Sequence, residues 1–150
     1  MNGADPSEAP VLGPRAIEVR QAVLDDLVAH ARAEAPNECC GTLIGAGDRI
    51  ERSVRARNTL GSPTRYQIDP VDQIAAIRSA RERGESVVGF YHSHPSSPPT
   101  PSATYRIEAA YPGHWYLIVS PGAPSGDAEV RGFRLEVSGN FLPLALVPIP

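Results

Sequence analysis

The run Ser86–Tyr91 (SVVGFY) passes without a break into His92-Ser93-His94-Pro95, and this junction constrains the chain most. Six residues rich in β-branched and aromatic side chains are too few for a helix and suit a buried strand. Residues two apart in a strand project from the same face, so His92 and His94 face one another's neighbourhood at the strand end. Pro95 cannot continue a ladder, and Pro98, Pro99 and Pro101 stiffen the exit. An HxH pair by itself reads either as two histidines on a wet strand end or as two ligands for one cation. The apolar strand before it and the stiff loop after it favour the ligand pair, and imidazole suits zinc among the common metals.

The rest of the chain is cut into short elements. Ala16–Val19 reads as a short strand. Gln21–Ala35 reads as a helix with Val23, Leu24, Leu27, Val28 and Ala31 on one stripe, ended by Pro36. Cys39–Gly45 reads as a buried strand, Arg49–Arg57 as a half-exposed one, and Asn58–Pro63 as a turn. Tyr66–Ile68 is expected to be a short strand. Asp69-Pro70 is a helix start, with Asp as cap and Pro at the first helical position. Ile74, Ala75, Ala76, Ile77 and Ala80 are expected to line that helix, with Gly84 as its stop. After the prolines, Ser102 caps an expected helix to Ala110. Trp115–Ser120 is the most apolar strand, and Pro121–Asp127 is a surface turn. Glu129–Val137 and Phe141–Val147 make an antiparallel pair around Ser138-Gly139-Asn140. Interleaved strands and helices with a strand-rich end imply an α/β (α+β) fold, one mixed sheet flanked by helices.

With 150 residues, one domain over 15–150 is expected, preceded by a loose, Pro- and Gly-containing arm at 1–14. The formal net charge is −3, so no basic face is implied and nucleic acid is a poor partner. All 14 basic residues are arginines, which removes lysine Schiff-base chemistry. The only cysteines are the adjacent Cys39 and Cys40, which point to opposite strand faces and are badly placed for a mutual disulfide. They read as small core residues of a reducing compartment. No apolar stretch reads as a signal peptide or a membrane span, so a cytoplasmic location and no membrane partner are expected.

Several metal folds use HxH, and most conflict with the surrounding residues. A metallo-β-lactamase pattern wants Asp two residues after the second histidine, where this chain has Ser96. Zinc deaminases want H-x-E with a later P-C-x-x-C, and neither occurs. One pattern fits. His92-Ser93-His94-Pro95, six residues and then Ser102 resembles the H-x-H-P-x(6)-S-x-x-D motif of the JAMM (MPN-plus) metalloprotease family. Glu38-Cys39-Cys40-Gly41-Thr42-Leu43-Ile44-Gly45 resembles that family's E-x-C-G-x-L-x-G strand. Tyr66–Pro70, Val88–Tyr91 and Trp115–Ser120 follow in the family's order, so the resemblance spans about residues 16–147.

The resemblance implies a cytidine-deaminase-like architecture and a zinc hydrolase of peptide or isopeptide bonds. Carried over by position, His92 and His94 are zinc ligands. Glu38 is the general base, and Ser102 is a donor to the oxyanion. The substrate class it implies is a peptide, or the Gly-Gly tail of a small ubiquitin-like or sulfur-carrier protein; a homodimer stays open. Without the family, Glu38 reads as an exposed residue after a helix stop and Ser102 as a plain helix cap. One position departs from the pattern: the third ligand, Asp in the family, is Tyr105 here. Glu108 lies about one turn further on, and His114 reads as a surface residue or a neighbour of the ligands. The alternative function is a silent binding module that holds a carrier tail without cutting it.

Overall fold

The computed structural model describes residues 15–102, 111–122 and 126–150. The arm at 1–14, the expected helix after Ser102 and Tyr105 within it lie outside the described residues, as does the middle of the 121–127 turn.

Among the described residues, seven strands and two helices follow in the order β1 (Ala16–Arg20), α1 (Gln21–Glu34), β2 (Cys40–Ala46), β3 (Arg49–Ala56), α2 (Pro70–Glu82), β4 (Ser86–Ser93), β5 (Trp115–Ser120), β6 (Glu129–Leu135) and β7 (Phe141–Ile149). They form the expected single mixed sheet, but its ends meet. The strand order is β1-β3-β2-β4-β5-β6-β7, and β1 also pairs in parallel with β7. Closure by a parallel first strand has no local sequence signal, because the alternation within a strand sets its faces and not its neighbours.

Adjacent residues of β2 enter different cores. Leu43 joins the cluster of Ile17, Val19, Leu27, Ile50, Tyr91 and Leu117, which α1 covers. Ile44 packs with Ala76 and Ala80 of α2. The helices therefore lie on opposite faces of the sheet. Asp69 caps α2 as expected, its carboxylate accepting from the Val71 amide at 2.9 Å. The expected core stripe of α2 needs correction. Ala76 and Ala80 are buried as expected, whereas Ile74 and Ile77 are exposed at 52% and 37%. Small side chains let the helix axis come close to the sheet, and that close approach turns the bulky residues outward.

Tyr66–Ile68 is not a strand. Only an isolated bridge joins Ile68 to Asn58, so residues 58–68 form a loop folded back on itself. Gly89 is required where β4 meets β5 in parallel: a Cβ there would collide with the Trp115 carbonyl oxygen. That contact holds the strand three residues ahead of His92 tightly in register.

Candidate functional site

The site forms where the start of β2 meets the end of β4. Cys40 pairs with His92 across this antiparallel ladder. Beyond it, the Ser93 amide donates to the Cys39 carbonyl at 3.0 Å, so Glu38 comes level with His94. By parity Glu38, Cys40, His92 and His94 belong to one face, the one opposite Tyr91 and α1. All three candidate polar residues are withdrawn from water: Glu38 is 5%, His92 1% and His94 8% exposed. Glu38 is thus no solvated residue trailing a helix.

The two imidazoles converge. His92 Nε2 and His94 Nε2 lie 3.1 Å apart. His94 Nδ1 is 2.7 Å from the Pro98 carbonyl, which can only accept. His94 therefore carries its proton on Nδ1 and offers a lone pair at Nε2, and His92 Nε2 donates to it. Burial, with the His94 imidazole beside it, holds His92 well below its ordinary value of 6.5. The His92 ring is thereby held in the neutral form, the form that binds metal. A single proton sits between two nitrogens that otherwise both present lone pairs. Two zinc-bound nitrogens in a tetrahedral shell are about 3.3 Å apart, given Zn–N of about 2.0–2.1 Å. The pair as folded fits two positions of such a shell. The proline loop predicted to be rigid supplies the carbonyl that sets the tautomer, the arrangement typical of metal-binding histidines.

Among the described residues no three His, Cys, Asp or Glu side chains gather as a metal group. Tyr105, at the position of the family's third ligand, is outside those residues. Ser102 is exposed at the end of the described proline loop. His114 is removed from the pair, lying beside Phe90 and Tyr111. Cys39 and Cys40 are free and buried, as read from the sequence.

Three contributors carried no sequence signal of their own. Ser93 is fully buried, and its hydroxyl accepts from the Cys39 amide at 2.8 Å. Tyr66 stacks on the His92 ring with centroids 4.5 Å apart and planes 17° apart. Asn58 donates to the Glu38 carbonyl at 3.1 Å. Tyr66 also lines a groove of roughly 530 Å3 whose wall includes Leu60, Arg65, Gln73, Phe90 and Tyr116, so the groove opens beside the histidines.

A closed mixed sheet thus carries a buried HxH pair at the edge of a groove. Residues 20–135 match the family model of prokaryotic homologs of the JAB domain. This chain belongs to that family. It is 42% identical over 106 residues to the desampylase of Haloferax volcanii, covering 65% of this chain and 75% of that protein. It is 35% identical over 119 residues to the CysO-cysteine peptidase of Mycobacterium tuberculosis, covering 78% and 81%. Among solved structures it is similar to protein DSY2949 from Desulfitobacterium hafniense, with a TM-score of 0.79, 31% identity and coverage of 89% and 92%.

Proposed function

We propose that this chain is a JAB-family metallopeptidase that hydrolyses the bond joining the C-terminal tail of a small carrier protein to an adduct. Its domain spans residues 15–150. The observation that carries the reading is the convergence of His92 Nε2 and His94 Nε2 level with a buried Glu38. The relatives supply the substrate class, since they are named for removing conjugates or cysteine from small proteins.

His92 and His94 hold zinc, with Tyr105 at the third protein position. A zinc ion held there would supply Lewis-acid activation of a water, whose pKa would fall towards about 7. Glu38 accepts the proton of the attacking water and passes it to the leaving amine, a role contributing typically about 10²–10⁴-fold. Burial of the Glu38 carboxylate keeps bulk water from competing for that proton. Ser102 donates a hydrogen bond to the oxyanion as the carbonyl becomes tetrahedral, which is worth about 3 kcal/mol. The aromatic groove takes the extended tail. A Gly-Gly end suits it, because only glycine lets a backbone pass closely between walls. Among the described residues no helix is long and apolar enough to cross a membrane, and we place the protein in the cytoplasm.

Tyr105 favours a second reading, a binding module that holds the tail without cutting it. A phenol ordinarily titrates near 10 and must lose its proton to bind metal well. The deciding experiment compares the native chain with Tyr105→Asp for zinc per chain and for cleavage of a Gly-Gly-linked conjugate. Native cleavage that the Asp variant raises by orders of magnitude supports a weakened enzyme. Tail binding with no cleavage by the native form supports the module. A native form that carries full zinc and cuts as fast as the Asp variant shows that another residue completes the shell.

A further inference from the structure

Asn58 uses its whole carboxamide. Nδ2 donates to the Glu38 carbonyl at 3.1 Å and to the Arg65 carbonyl at 3.0 Å. Oδ1 accepts from the Leu60 amide at 3.1 Å and from the Gln67 amide at 3.1 Å. Two donors and two lone pairs are all that an amide side chain has. No other residue of this size offers both, since Asp lacks the donors and Leu lacks everything.

The partners matter more than their number. Glu38 is held at both main-chain groups by this loop, because its amide also donates to the Ser62 carbonyl at 2.9 Å. Arg65 and Gln67 flank Tyr66, whose ring covers His92. One side chain thus grips the main chain of Glu38 and both neighbours of the residue stacked on His92. Glu38 lies just before β2 and His92 lies in β4, and Asn58 belongs to neither strand.

We infer that Asn58 is a positioning residue: it fixes the main chain that carries Glu38 and, through Tyr66, the plane of the His92 ring. The inference rests on the roles proposed above for Glu38 and His92. Groups that orient metal-binding histidines typically cost about 10–100-fold in metal affinity or activity when removed. A loop of purely structural purpose predicts a loss of stability alone.

The test uses the full chain with histidine isotope labelling, first without metal. The Tyr66 ring current shifts the His92 ring protons upfield. Tyr66→Phe keeps that shift, and Tyr66→Leu abolishes it while leaving the hydrogen bonds of Asn58 in place. Asn58→Leu moves the His92 signals towards their Tyr66→Leu positions, with those of His30 and His114 unchanged as a check that the fold persists. Zinc titration then gives about 10-fold weaker binding for Asn58→Leu and Tyr66→Leu, and native binding for Tyr66→Phe. With a Gly-Gly conjugate, Asn58→Leu lowers kcat by about 10–100-fold and leaves KM unchanged.

If Asn58→Leu does not fold, the Tyr66 pair decides: His92 signals and zinc affinity unchanged in Tyr66→Leu overturn the relay. In a folded Asn58→Leu, an intact upfield shift overturns it as well. A native protein that shows the shift yet binds no zinc leaves the positioning intact and removes the proposed function instead.

Discussion

Ser93 Oγ lies 2.8 Å from the Cys39 amide nitrogen, which donates to it. Ser93 sits between the two histidines and points to the other face, so this bond staples the last residue of β4 to the residue after Glu38. Ser93→Ala leaves a buried amide without its acceptor, which costs about 1–3 kcal/mol. Urea unfolding of the variant should show a lower midpoint with an unchanged slope. A midpoint equal to the native one would show that the staple adds nothing to stability.

Both cysteines are free, buried thiols. Burial pushes the Cys39 thiol up to about 11, against the hydrogen bond from Ser93 that lowers it, and pushes Cys40 up to about 12. Both stay protonated at pH 8, and the thiolate is the reactive form. A thiol reagent at that pH should find no reactive cysteine in the native protein and both in urea. Reaction of the folded chain at a rate independent of unfolding would contradict the burial described here.

Helix α1 is tied to β3 by Asp26. Its carboxylate accepts from Arg55 Nη2 at 2.7 Å and from Ser53 Oγ at 3.3 Å. The hydrogen bond from Arg55 holds Asp26 below its ordinary value of 3.8, against a smaller opposing effect of burial. A lowered value in the folded state stabilises the protein above pH 3.8 and ceases to do so as pH falls towards that lowered value. Both partners are more than a third exposed, so the contribution is below about 1 kcal/mol. Native protein should therefore exceed Asp26→Asn in stability by a constant small margin at pH 5–7. The margin should close on acidification below 3.8. A margin that widens on acidification would contradict the assignment.

Much of this was legible because strand parity is local. His92, His94 and the apolar run before them report a shared face directly, and Asp69-Pro70 marks the start of α2 wherever that helix packs. Pairing is not local. Nothing in Ala16–Arg20 says that it lies between β3 and β7, and nothing in Tyr66 says that it leaves the sheet to cover a histidine. Ile74 and Ile77 look like core residues until the helix approaches on its alanines. Asn58 reads as turn chemistry, which it is, yet two of its partners lie where the turn meets the site.

In the proposed function His92 and His94 hold a metal that Glu38 uses without binding it. The most direct measurement is zinc per chain and turnover of a Gly-Gly-linked conjugate for native protein, His92→Ala and Glu38→Gln, purified and assayed side by side. About one zinc is expected in the native chain and in Glu38→Gln and none in His92→Ala. Turnover is expected to be at least about 100-fold lower in Glu38→Gln. Full zinc in His92→Ala, or native turnover in Glu38→Gln, would contradict the proposed function.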